Sequence, residues 1–214
     1  IYHDMLKEQA QTLANEINHF CISLTQLNAW DKILGQYAIE EKHILLMEFV
    51  ENIAIVCVNY PSVIRSRFIF SVSHLSHQAN RIINSSWKEK ELPADRQINW
   101  NTMKYVSTTW SKFASLVLEL ENLANTAYSQ ATRQFRDKYH HRYPPRFELG
   151  HTGFISRIVE TDGRVGYGFG GIEPLRLADL IPLLIEQHQI SFVCFERYTD
   201  LVREQLGKIY ETVP

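Results

Sequence analysis

The chain has 214 residues, 45% hydrophobic and 21% charged, enough apolar content to bury a core and too much for wholesale disorder. A formal net charge of -2 excludes a surface coated in positive charge for nucleic acid, while leaving room for a local basic patch. Three scattered cysteines, Cys21, Cys57 and Cys194, argue against a disulfide framework or zinc knuckle and for buried thiols in a reducing, cytoplasmic setting.

A first helix is predicted from roughly Asp4 to Leu27. A second covers about Ile39 to Tyr60, with Leu46, Phe49, Ile53, Val56, Cys57 and Tyr60 at helical spacing, and Pro61 ends it. Its apolar run from Ile44 to Tyr60 is broken by Glu48, Glu51 and Asn52, so no membrane span is expected, and no signal-peptide pattern is visible. A third helix places Ile64, Phe68, Val72, Leu75, Ala79 and Ile82 on one face, and Trp87 to Arg96 is a charged loop around Pro93.

The fourth predicted helix is the longest, from about Ile98 to His141. Met103, Val106, Trp110, Phe113, Val117, Leu120, Ala124 and Ala127 form its packing seam. Tyr143-Pro144-Pro145 stops it. Residues 152–170 then form a β-hairpin. Asp162-Gly163 suits a two-residue type I′ turn, and Gly166, Gly168 and Gly170 leave one strand face bare for close approach of another backbone. A last helix begins near Asp179, with Pro182 in its first turn, and buries Ile181, Leu184, His188, Phe192, Phe195 and Val202. The expected fold is mainly α: one domain over 1–214, an antiparallel helical bundle with one inserted hairpin.

Chemistry concentrates at the end of the fourth helix. From Ala131 to Arg146 there are five basic residues (Arg133, Arg136, Lys138, Arg142, Arg146), two histidines (His140, His141) and one acid, Asp137. Cations complement the dipole of a helix C-terminus, which explains lysine and arginine here but does not call for His-His. Asn122, Asn125, Ser129, Arg133, Arg136 and His140 are expected along one helix side, a small polar stripe suited to a second subunit. Arginine with histidine is a chemically sensible pair for cutting RNA. An imidazole takes the ribose 2′-hydroxyl proton or gives one to the departing oxygen, and a guanidinium holds the phosphate and stabilises its added negative charge. Neither a metal nor another cofactor is needed, and DNA, lacking the 2′-hydroxyl, is excluded.

Arg136-Asp137-Lys138-Tyr139-His140-His141 resembles the R-x4–6-H motif of the HEPN superfamily, and with Tyr143 also the R-x4-H-x-Y form of some HEPN toxins. The resemblance implies a helical bundle, a homodimer with a composite cleft, and metal-independent endoribonuclease activity in toxin–antitoxin or defence systems, although some members are inactive. It implies that Arg136 binds the scissile phosphate, that His141 is the acid–base residue, and that Asp137 orients the arginine. Arg133, Lys138, Arg142 and Arg146 would hold the RNA, and Tyr143 would be the regulatory tyrosine modified by a nucleotidyltransferase antitoxin. On an ideal helix Arg136 shares a face with His140, while His141 lies about 140° away, so His140 stands second as the acid–base residue. The alternative function is a catalytically silent interaction module binding a nucleotide, RNA or protein partner.

Other motifs read as structural. Gly166 to Gly171 matches a dinucleotide fingerprint but lies in a hairpin strand. Glu40-x-x-His43 is half of a di-iron motif without its second half, and His74 and His77 are expected as a surface pair. His188 is expected as a hydrogen-bonded core histidine, and the four tryptophans as packing residues.

Overall fold

A computed structural model describes residues 1–159 and 161–212. The chain is mainly helical (72%) and carries one two-stranded antiparallel hairpin. Helix α1 (Tyr2–Leu34) buries Leu13, Ile17, Phe20, Leu24, Leu27 and Leu34 at alternating three- and four-residue steps. It outruns the predicted end at Leu27 because Leu34 is buried and Trp30 stacks on Phe49 with ring centroids 5.2 Å apart.

Helix α2 (Ile39–Leu45) passes through a π-helical turn, Leu46–Val50, into α3 (Glu51–Ile83). The wide turn resets the apolar stripe. Leu46, Val50, Ala54, Cys57 and Val58 are buried, whereas Phe49 and Val56, expected on that stripe, are exposed. Pro61 does not end the helix. It removes one backbone bond, yet its ring is buried and the predicted face of Ile64, Phe68, Val72, Leu75 and Ala79 packs without solvent access immediately beyond it. The run Ile39–Ile83 is long and apolar enough to cross a membrane by length and composition alone, a test that core helices of soluble proteins also pass.

The single helix predicted over Ile98–His141 is four short ones: α4 (Trp100–Ser107), α5 (Phe113–Asn122), α6 (Thr126–Ala131) and α7 (Phe135–His141). Each break has a partner for the backbone groups it frees. Before α5, the Glu204 carboxylate accepts from Ser111 N (2.9 Å) and Lys112 N (2.8 Å). After α5, Ala124 turns left-handed (φ 48°) and its N–H donates to Gln187 Oε1 at 2.7 Å. Asn125 then caps α6 by accepting from Tyr128 N at 2.8 Å. Arg133 and Gln134 (φ 54° and 58°) separate α6 from α7. The packing seam shifts accordingly: Leu116, Leu123 and Tyr128 are buried, while Ala127 is exposed.

Strands β1 (Ile155–Val159) and β2 (Val165–Phe169) pair from Ile155↔Phe169 to Val159↔Val165. Among the described turn residues only Gly163 takes positive φ (84°) and Asp162 does not, so the turn is not the two-residue I′ type. Asp162 instead accepts from Arg164 N (3.0 Å) and pairs with Arg164 Nε (2.6 Å), an Asx-type closure. On the glycine face the Ile158 side chain lies where a Cβ on Gly168 would sit, Gly166 faces open space, and among the described residues no second backbone comes within 4 Å.

Helix α8 (Leu177–Thr212) starts two residues before Asp179, so Pro182 falls beyond the first turn and costs the helix a backbone bond. Its buried face is Leu177, Leu180, Ile181, Leu184, Gln187, Ser191, Cys194, Tyr198, Leu201, Val202 and Gln205. Phe192, expected inside, is exposed, and His188 and Phe195 are half-buried.

Two compact units emerge: Ile1–Cys21 with Tyr60–Ala124 and Gln187–Pro214, and Ile22–Asn59 with Asn125–Glu186. The first has an aromatic core and a buried polar network. Tyr2 Oη donates to Gln205 Oε1 (2.7 Å), Gln205 Nε2 to Ser76 Oγ (2.9 Å), and Ser107 Oγ to Ser76 Oγ (2.9 Å). Burial pushes the Tyr198 phenol up to about 12, and its oxygen lies 2.9 Å from Ser71 Oγ. In the second unit Tyr128 Oη donates to Val58 O at 2.7 Å, and Phe135 packs on Tyr139 and Phe147.

Gln187→Leu keeps the volume of this buried side chain but removes the acceptor for Ala124 N–H. It is expected to destabilise by about 1–3 kcal/mol, the cost of an unsatisfied buried donor, measured by urea unfolding. An unchanged midpoint would show that the α5 break needs no partner.

Candidate functional site

The basic segment is built on the second unit. Thr132, buried, ends α6 by donating to Tyr128 O at 2.9 Å, and Gln134 N reaches back to Ser129 O at 2.7 Å. Arg133 donates to the Glu173 backbone carbonyl, and its other guanidinium nitrogen lies 3.7 Å from the Glu173 carboxylate. Arg133 is therefore engaged in holding the chain. Helix α7 begins at Phe135, which is buried, and Tyr139 one turn later stacks on it with ring centroids 5.8 Å apart.

With Phe135 facing inward, Arg136, Asp137, His140 and His141 are all exposed. Arg136 and His140 stand one turn apart and so share a side. His141 is also α-helical, which leaves it about 140° around the axis from Arg136. Among the described residues Arg136 makes no ion pair or hydrogen bond. Asp137 lies 4.0 Å from Arg142, not against Arg136. The His140 ring meets Tyr139 edge-on (5.5 Å between centroids) and lies 6.3 Å from His141. Lys138 is half-buried, and its carbonyl accepts the Arg142 N–H that closes the helix. Tyr143 is 78% exposed. Because α5, α6 and α7 are separate helices, Asn122, Asn125, Ser129 and Arg133 do not continue the side of Arg136 and His140.

Beyond α7 the chain is pinned by contacts that no local motif announces. Arg146 O accepts from Leu175 N (2.8 Å), Glu148 N donates to Leu175 O (3.0 Å), and Thr152 and Ile172 exchange both backbone bonds. Glu148, itself left-handed (φ 58°), accepts from Leu177 N, placing a carboxylate on the first N–H of α8, and Arg176 Nη1 donates to Glu148 O at 2.7 Å. Sequence reasoning missed Glu148, Glu173 and Arg176 because their partners lie 28 to 40 residues away in the chain.

The remaining candidates are structural. His77 is not on the surface: its side chain is fully buried, Nδ1 accepts from Trp87 Nε1 at 3.0 Å, and Nε2 lies 3.6 Å from Glu89. His74 Nε2 faces Asp95 at 3.3 Å with little solvent access. His188 sits edge-on between Phe20 and Phe192. Glu40 and His43 are exposed, and no group of three or more potential metal ligands occurs among the described residues. Burial pushes the Cys57 and Cys194 thiols up to about 12, whereas Cys21 is exposed, contrary to expectation. No protein-family model, curated protein or solved structure matches the chain.

Burial holds the His77 and His188 rings below the ordinary imidazole range, and Glu89 only partly opposes this at His77. In the unfolded chain both titrate near about 6.5. As pH falls through that value the unfolded state takes up protons that the folded state refuses, so stability is complete above it and declines below. Protonation would also break the Trp87 bond, since Nδ1 is its acceptor. Thermal melting is expected to fall between pH 7.5 and pH 5.5, and to fall less in His77→Gln; identical pH profiles for the two would contradict the assignment.

Proposed function

We propose that the chain is a metal-independent endoribonuclease of the HEPN type, with Arg136 as the phosphate-binding cation and His140 as the imidazole that works on the same phosphodiester. The observation that carries this reading is the pairing on α7 of an unengaged guanidinium and an exposed imidazole one helical turn apart, in a segment with five basic side chains against two acids between residues 136 and 157. Both acids are engaged elsewhere, Asp137 with Arg142 and Glu148 with Arg176 and the start of α8, so neither neutralises Arg136. A mainly helical chain with one hairpin is compatible with that superfamily.

In the proposed reaction an imidazole accepts the 2′-hydroxyl proton and the 2′-oxygen attacks phosphorus. The P–O5′ bond breaks, leaving a 2′,3′-cyclic phosphate and a 5′-oxygen that takes up a proton to become the 5′-hydroxyl. Arg136 stabilises the charge that builds on the phosphoryl oxygens. One imidazole on one helix face supplies one of the two proton transfers. A homodimer would supply the other from a second His140 or from His141, whose ring points away from Arg136 of its own helix. Lys138, Arg142 and Arg146 would steer the strand, and exposed Tyr143 would be open to a modifying antitoxin. A second reading, an RNA-binding module that does not cut, is favoured by one observation: no hydrogen bond orients either imidazole among the described residues.

Cleavage of unstructured RNA in the presence of EDTA is the test. Wild type is expected to cut, Arg136→Ala to lose about 10²–10³-fold and His140→Ala about 10²-fold or more, with folding intact by circular dichroism. Cleavage that vanishes with EDTA, or that survives both substitutions, would overturn the mechanism.

A further inference from the structure

Immediately after α7 the chain walls an open cleft of about 600 Å³ within the second unit, in the range of small-molecule sites. Tyr143 and Phe154 supply aromatic surface, Arg146 and His151 supply nitrogen donors, and the wall contributed by the start of α3 is Glu51. Two glycines seat the donors. A Cβ on left-handed Gly150 (φ 85°) would press on Arg146 Cδ at 3.2 Å, and one on Gly171 would meet the His151 ring at 3.4 Å. Both side chains thus lie across bare backbone. The His151 ring also lies 6.0 Å from that of Phe154.

Glu51 is the informative residue. It follows directly on the π-helical turn Leu46–Val50, a distortion that recurs at functional sites, and it is half-buried with no side-chain hydrogen bond or ion pair among the described residues. Arg146 likewise makes no side-chain bond there. A carboxylate offers two acceptors side by side and no donor. Of the four RNA bases only guanine presents two adjacent N–H donors, N1–H and the N2 amino group, on its Watson–Crick edge. Its O6 and N7 are acceptors that an arginine satisfies in a bidentate fashion. Flat aromatic side chains beside those groups offer the stacking surface by which unpaired bases are held.

We propose that this cleft binds a guanine base, with Glu51 reading N1–H and N2, Arg146 reading O6 and N7, and Tyr143 or Phe154 stacking on the ring. The proposal depends on the ribonuclease reading only for the source of the base. From Arg136 to Tyr143 the chain spans at most about 15 Å, so one RNA strand can reach both places. Guanine in the cleft would make the enzyme select the nucleotide beside the phosphate it cuts.

Fluorescence anisotropy with short 2′-O-methyl oligonucleotides, which lack the attacking hydroxyl, reads binding without chemistry. Uridine-rich strands carrying one central guanine, inosine, adenine or cytosine are compared on the wild-type chain and on Glu51→Gln, Arg146→Ala and Arg136→Ala. Guanine is expected to bind at least about tenfold more tightly than adenine or cytosine, the discrimination of a good bidentate contact. Inosine, lacking the N2 amino group, should fall between; Glu51→Gln should bring guanine and inosine within about threefold of each other, and Arg146→Ala should shrink the lead of both over adenine. Equal binding of all bases by the wild-type chain, or a guanine-over-inosine preference that survives Glu51→Gln, overturns the proposal. Arg136→Ala should keep the preference, which separates this claim from the cleavage claim. Competition by GMP but not AMP at the oligonucleotide's own concentration supports the base site and assigns it to free nucleotide; competition by the strand alone supports it and assigns it to RNA.

Discussion

Arg133 reaching across to Glu173 is the contact on which the arrangement of the basic segment depends. Two consecutive non-glycine residues, Arg133 and Gln134, adopt left-handed backbone between α6 and α7, a conformation that costs about 1–2 kcal/mol per residue. They stay there because surrounding bonds over-determine them. Arg133 donates to the Glu173 carbonyl, Gln134 N reaches Ser129 O, and Phe135 is sealed between Tyr139 and Phe147. The accompanying ion pair, 3.7 Å apart and largely in water, adds little; the charge-assisted bond to a carbonyl and the buried ring do more. Once Phe135 is fixed inward, helical periodicity decides the rest: Tyr139 lies beside it, and Arg136 and His140 face water together.

The same logic explains which parts of the chain were legible from sequence. The hairpin was, because Asp162-Gly163 sits between two alternating runs, and so was the stop at Pro144-Pro145, because proline acts on its immediate neighbours. The face of Ile64, Phe68, Val72, Leu75 and Ala79 was legible because its period holds throughout. The breaks in the segment 98–141 were not. Each is stabilised by a residue far along the chain, Glu204 at 93 residues, Gln187 at 63 and Glu173 at 40, and a periodic apolar pattern runs through such breaks unmarked. Pro61 misled for a related reason: a local rule for ending helices lost to burial on both sides of it.

At the site, the i, i+4 pairing of Arg136 with His140 was readable, since it needs only helical spacing. The roles of their neighbours were not. Arg133 turned out to be a strut, and Asp137 faces Arg142. Glu51 carried no signal beyond interrupting an apolar run; its proximity to residues 143–155 exists only in the fold. The division of labour is physically sensible. The first unit invests its polar side chains in a buried network around Ser76 and Gln205, which fixes packing, whereas the second leaves arginines and histidines exposed on short elements pinned at their ends.

The chemistry proposed for α7 leaves a signature on the RNA itself. Attack by the ribose 2′-oxygen must leave a 2′,3′-cyclic phosphate on one fragment and a free 5′-hydroxyl on the other, whichever imidazole moves the protons. Mass spectrometry of the fragments from a defined oligonucleotide reads these ends directly. Cyclic phosphate with 5′-hydroxyl is the predicted result; 5′-phosphate with 3′-hydroxyl, the product of attack by water, would contradict it.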